Sequence, residues 1–381
     1  MDTGSICGAG YEAVASKAIK ALNAGGGGAL CVYRNGVPVV DLWSGSRDTS
    51  NGLAWERETM GMAWSTTKGI ASTVIHMLAD RGQLDYDSPV ARYWPEFAAA
   101  GKDVITVRHL LTMEAGLYDI RHLIDEPTQM LDHDRMASAL AAATPAHPPG
   151  QANGYHALTY GWLLGEVVRR VTSETLGAFV QTEIAEPLVL DGCYIGTPRS
   201  EIERVAARPE LEPEPARLRR VAKFLDPATS LLGFSPKRVA SAFLPQRGYE
   251  VIPRPEFLQA EVPAANGVFT ARSLARIYAA LASDDGLDGV RLWSPETRRA
   301  ATRIQNRRRD LVIPLRVRWL LGYHRPPPVR RASPEAFGFY GAYGSGAYAD
   351  PARQLAVGFV VREARGAPLV KLSKAIAAAT S

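Results

Sequence analysis

The sequence predicts an α+β fold: an antiparallel sheet flanked by terminal helices, with an all-α domain inserted between the two halves of the sheet. Three observations predict it. A hairpin signal lies near the N-terminus, a group of short strands lies near the C-terminus, and the stretch between them has helical periodicity with few strand signals. The chain has 381 residues, 46% of them hydrophobic, enough for a large core in one composite domain or two.

Along the chain, residues 11–23 place Val14, Ala18, Ala21 and Leu22 at helical spacing, and the glycine run at 25–28 stops that helix. Residues 29–34 and 37–43 are apolar and β-branched around Asn35-Gly36, the pair a two-residue hairpin turn favours because both positions tolerate positive φ. Residues 65–82 read as a helix whose apolar stripe is Ile70, Val74, Ile75 and Leu78, stopped by Gly82. Stretches 107–111, 136–143, 160–171 and 176–184 are helical in pattern. Residues 198–253, rich in Pro, Arg and Glu, read as a cap or lid of loops and short helices. Strands are expected at 336–340, 347–349 and 354–361, with Asp350-Pro351 as a turn and a closing helix over 370–379. Strands at both ends, flanked by terminal helices, suggest one sheet assembled from both termini, so the expected domains are 1–84 with 254–381, a helical domain over 85–197, and the cap over 198–253.

Composition narrows the chemistry. The formal charge of +5 and the pI near 9.1 come from scattered arginines with one cluster at 307–309, a solvated surface rather than a nucleic-acid stripe. Cys7, Cys31 and Cys193 are widely spaced, without a CxxC pair, and suggest neither a disulfide framework nor zinc. Histidines 109, 122, 133, 147, 156 and 324 lack ligand spacing with acidic partners, so no metal and no cofactor is expected. No leader-like segment and no uninterrupted apolar run of membrane length occurs, and the chain reads as soluble and cytoplasmic. The Gly-x-Ser-x-Gly elbow is absent, and the glycine run at 25–28 precedes a strand instead of following one, which spoils a nucleotide loop.

Candidate chemistry begins at Ser65. Residues three apart on a helix share a face, so Ser65 and Lys68 in the stretch WSTTKG bring a hydroxyl toward an amine. A serine needs an adjacent base, and lysine serves when burial lowers its pKa. A Ser-Thr-Thr opening is also an ordinary helix cap, but this is the only Ser-x-x-Lys in a lysine-poor chain and it lies between apolar stretches. Tyr155, just before a helix starting near Leu158, is either a phenolate at working pH that faces that lysine and exchanges protons with the serine, or a core aromatic. The glycine-rich strand at 337–345 is either a close backbone approach to a ligand or a plain edge hairpin.

Together, Ser65-x-x-Lys68, Tyr155-x-Ala157 and a Gly-ended triplet on a late strand resemble the motifs of the serine β-lactamase and DD-peptidase superfamily. The passages DLWSGSRD, MAWSTTKG, ITVRHLLTMEAGL, YHALTYGWLLGEVVRRV and YGSGAYADP are most similar to its β-lactamase-like, or family VIII, carboxylesterases. The resemblance implies Ser65 as the acylated nucleophile, Lys68 and Tyr155 as a coupled acid/base pair, and the backbone N–H groups of Ser65 and Ala342 as the oxyanion site. Which of the pair takes the first proton stays open. The third motif is Phe339-Tyr340-Gly341, with no cation for a substrate carboxylate, and Ala157 removes an amide. These departures favour a small-molecule ester with a short or medium acyl group over a β-lactam. An acyltransferase, a weak β-lactamase and a catalytically silent module are the alternatives. Trp64, Tyr118, Tyr323, Phe339 and Tyr343 are the expected aromatic pocket.

Overall fold

The computed structural model describes residues 5–209, 235–313, 316–326, 333–364 and 368–380. Its main sheet has seven antiparallel strands. These are β1 (Ile6–Cys7), β2 (Gly27–Arg34), β3 (Val37–Asp48) and β4 (Leu53–Ala54) from the N-terminal part, and β8 (Phe337–Tyr340), β9 (Gly346–Asp350) and β10 (Leu355–Val361) from the C-terminal part. The order β1-β3-β2-β10-β9-β8, with β4 beside β3, joins the two ends of the chain through β2 and β10, where Cys31 faces Gly358. The hairpin turn is Asn35-Gly36, both with positive φ. A second sheet of β5 (Gly61–Met62), β6 (Cys193–Tyr194) and β7 (Val268–Phe269) lies at the boundary with the helical block. Residues 193–194, expected inside the helical domain, therefore pair with the sheet half instead.

The sheet separates two apolar layers. On one face the Glu12–Ala24 and Pro368–Ala379 helices cover Leu30, Val32, Val357 and Phe359. The other face carries the Ala271–Ala282 helix, whose close approach requires Gly358: a Cβ there would run into Ala271 O and Ala275 N. Behind it stand the Thr67–Asp80 helix and the inserted block, with helices at Val107–Leu111, His133–Ala142, Thr159–Thr172 and Leu176–Val180.

The Thr67–Asp80 helix departs from the single stripe read in its sequence: every residue from Thr67 to Leu78 is buried. It runs through the centre of the molecule, against the Thr159–Thr172 and Leu176–Val180 helices on one side and β8 on another. Its polar residues are paired internally. Ser72 Oγ donates to Lys68 O at 2.7 Å, Thr73 Oγ1 to Gly69 O at 2.8 Å, and His76 lies 2.7 Å from Tyr86 Oη and 2.9 Å from Leu321 O. A helix can be polar in sequence and still be a core helix if its side chains find such partners.

Of the expected cap, residues 210–234 lie outside the described residues. The part that follows forms a helix at Pro236–Phe243, tied down by Ile120 N donating to Ser241 O and Arg121 Nε to Leu244 O. Among the described residues, no helix is long and apolar enough to cross a membrane.

Candidate active site

From β5 the chain enters a short 3-10 turn at Trp64–Thr66 and then the central helix, so Ser65 stands one turn ahead of the α-helix expected to carry it. The turn is held on both sides by Gly267, the residue before β7: Ala63 N donates to Gly267 O at 2.9 Å, and Gly267 N to Thr67 Oγ1 at 3.1 Å. Trp64 has φ of 50°, a conformation that costs a bulky residue of order 1–3 kcal/mol, and Thr67 Oγ1 donates to its carbonyl at 2.6 Å. From Thr59 to Leu78, Ser65 alone is not buried. The fold thus opens this stretch to solvent at one hydroxyl.

Three heteroatoms meet there. Lys68 Nζ lies 3.1 Å from Ser65 Oγ, and Tyr155 Oη donates to the same oxygen at 2.7 Å. Lys68 is fully buried, and its other partners are two carbonyls, Ala157 O at 2.7 Å and Ala264 O at 2.8 Å. Burial pushes the amine well below the usual lysine range, with no carboxylate to oppose it. Burial pushes the Tyr155 phenol up, which disfavours the phenolate raised as a possibility from the sequence, and the charge of Asp310 adds to that rise. Position 157 contributes through its backbone carbonyl, which explains why alanine suffices for the contact with Lys68.

Tyr155 is fixed from behind by Asp310, a buried carboxylate absent from the sequence-based candidates. Asp310 Oδ1 accepts from the N–H groups of Tyr155 (3.0 Å), Val312 (2.8 Å) and Ile313 (3.0 Å), and Oδ2 accepts from Asn153 Nδ2 (3.0 Å). Every one of these partners is a donor, as an ionised carboxylate requires. Burial raises its pKa and these hydrogen bonds oppose the rise.

The third motif splits between the two sides of the sheet. Phe339 is buried with its ring centroid 5.9 Å from Lys68 Nζ, whereas Tyr340 points to the terminal-helix side and packs near Tyr348. Alternation along a strand dictates this. Gly341 passes so close to the Ser65 turn that a Cβ would run into Ala63 O, and Ala342 follows it. Trp64 and Tyr343, whose φ is 56°, pack with ring centroids 5.0 Å apart and planes tilted by 37° beside Ser65.

Two expected pocket residues stand elsewhere. Tyr323 is buried on all sides, bonded to Thr73 Oγ1 at 2.8 Å and packed on His76 and Phe337, so it belongs to the core and not to an acyl pocket. Tyr118 packs beneath Gly154, where a Cβ would come within 2.5 Å of its ring, and lines a separate cavity with Arg238. In their place are Trp319, stacked on Tyr155 with centroids 5.9 Å apart, and Phe243, 5.8 Å from the same ring and 41% exposed. Neither carried a sequence signal: Trp319 lies in a stretch without periodicity, and Phe243 ends the short Pro236–Phe243 helix inside the segment expected to be a cap.

The family model for β-lactamases matches residues 15–380 of this chain. The chain belongs to the β-lactamase family. Esterase/beta-lactamase LipL of Mycobacterium tuberculosis is 39% identical to it over 352 residues, 88% of this chain and 76% of that protein. Among solved structures, a family VIII carboxylesterase superposes with a TM-score of 0.85 at 33% identity, covering 98% of both chains. A penicillin-binding protein homologue from Caulobacter crescentus gives a TM-score of 0.83 at 35% identity, again over 98% of both chains. This β-lactamase-family chain keeps the company of serine carboxylesterases.

Proposed function

We propose that the chain hydrolyses uncharged esters of short or medium acyl groups through an acyl-enzyme on Ser65. The observation that carries this reading is the convergence of Lys68 Nζ and Tyr155 Oη on the one solvent-reaching hydroxyl of a buried run. A neutral Lys68, donating to the Ala157 and Ala264 carbonyls, has its lone pair available for the serine proton. Ser65 Oγ then bonds to the ester carbonyl carbon, and the negative charge on the carbonyl oxygen is held by the N–H groups of Ser65 and Ala342. On collapse the C–O bond to the alcohol breaks, and the alkoxide takes a proton from the Lys68–Tyr155 pair. Water repeats the sequence on the acyl-enzyme, with the pair as base, and releases the carboxylic acid.

The acyl side is aromatic. Trp64, Tyr343, Phe243 and Trp319 surround the three heteroatoms, and Phe339 stands where a cation would be needed for an anionic substrate. A fluorophosphonate probe is expected to label the wild type once and Ser65→Ala not at all. Hydrolysis of p-nitrophenyl acetate and butyrate is expected to exceed that of a chromogenic cephalosporin. Equal labelling of Ser65→Ala would end the reading, and a preference for the cephalosporin would move it to a β-lactamase.

A further inference from the structure

A cavity of about 830 Å³ opens on the far face of the sheet, between the Glu12–Ala24 and Pro368–Ala379 helices. Pro368 and Leu372, both buried, form part of its apolar floor. Its rim carries Lys17, Lys20, Lys371 and Arg362 against the one carboxylate of Glu363. This is not the scattered arginine surface of the rest of the molecule. The chain has eight lysines, and four of them, Lys374 included, sit on these two helices. None of the four is in an ion pair with a described residue.

Like charges gathered round an apolar recess select a ligand that is both anionic and apolar, since the cations attract the head and the floor gains from covering a chain. A bilayer surface fits less well, because none of the exposed large hydrophobic residues among the described ones lies on these helices. A nucleic acid fits less well too, because no aromatic side chain lines the cavity for base stacking. The wall of the cavity also reaches the proposed reaction site: Ala364 N donates to Tyr343 O at 2.8 Å, and Pro368 packs against Gly344.

We propose that this cavity binds a single-chain fatty carboxylate, with its head among Lys17, Lys20 and Lys371 and its chain along Pro368 and Leu372. The choice of a carboxylate head rests on the esterase reading, whose product it is. The cavity and its charge do not depend on that reading.

Calorimetric titration of the intact protein with laurate below its micelle concentration tests the site. One laurate per chain is expected, and the double variant Lys20→Glu/Lys371→Glu is expected to bind at least about tenfold more weakly, each lysine near an anionic head contributing a factor of about five. Dodecanol and acetate, which carry only the chain or only the charge, are expected to bind far more weakly than laurate. Unchanged p-nitrophenyl butyrate turnover by the double variant confirms that it is folded and that laurate is not simply entering the Ser65 site. Laurate binding that survives the double substitution overturns the proposal, as does equal binding of dodecanol. Sedimentation with phosphatidylglycerol vesicles without binding of free laurate also overturns it, in favour of a surface patch. Failure of the esterase reading would show separately, as absent labelling and turnover in the wild type.

Discussion

At the scale of single residues, the proposed reaction depends on the protonation state of Lys68. Its amine is neutral above its own depressed pKa and protonated below it, so activity is expected to fall as pH drops through that value and to be full well below pH 10.5. A pH profile of kcat/KM for p-nitrophenyl butyrate checks this. Activity that appears only in the ordinary lysine range near 10.5 would contradict it. Tyr155→Phe removes the proton donated to Ser65 while keeping the ring stacked on Trp319, and kcat is expected to fall by about 10² to 10⁴ with little change in KM. Asp310 offers a sharper comparison. Asp310→Ala leaves four donors without this partner, three of them buried at about 1–3 kcal/mol each when unsatisfied, and should lower both the denaturation midpoint and kcat. Asp310→Asn keeps the three backbone bonds, and its new N–H₂ meets Asn153 Oδ1 after an amide flip, an oxygen with no hydrogen-bond partner among the described residues. It should recover most of the stability; equal losses in the two variants would refute the positioning role.

At the scale of elements, the close approach of β8 to the serine turn is the tightest requirement. Gly341 has no room for a Cβ because Ala63 O, part of the backbone, occupies that space. Gly341→Ala is therefore expected to push Ala342 away from Ser65 and to slow fluorophosphonate labelling by about 10² to 10³, the cost of losing an oxyanion donor, while leaving the core of the sheet in place. Labelling at the wild-type rate would show that the two elements are not coupled. The element pattern was largely legible in advance: the Asn35-Gly36 hairpin, the helix at Val107–Leu111 and strands β8 to β10 follow from local turn chemistry and periodicity. The environment of the central helix was not, because four apolar positions at helical spacing look alike whether the opposite face meets water or other helices.

For the whole molecule, burial of titratable groups sets the acid limit of stability. His156 has its pKa depressed to about 3 and His76 to about 4, in both cases chiefly by burial, and both sit neutral in the core. The unfolded chain takes up these protons below about pH 6.5, so their contribution is complete above that value and is lost as pH falls toward 3 to 4. Denaturant midpoints measured between pH 7 and 4 are expected to fall steadily. A flat profile would mean that neither ring is excluded from water.

What the sequence determined by itself was local: most of the order of helices and strands, and the pairing of Ser65 with Lys68 as a candidate, because turn chemistry, side-chain period and a three-residue spacing are properties of neighbouring positions, whereas Tyr155, ninety residues away, was a candidate through the family resemblance. What only the tertiary structure decided was everything set by distant neighbours. Ala264, Asp310 and Trp319 come to the site from loops far along the chain and Phe243 from the end of the Pro236–Phe243 helix, and Tyr323 leaves it for the core. The charge on Lys68 belongs to the same class, since a pKa records how much water and which partners surround a group, and folding alone arranges those.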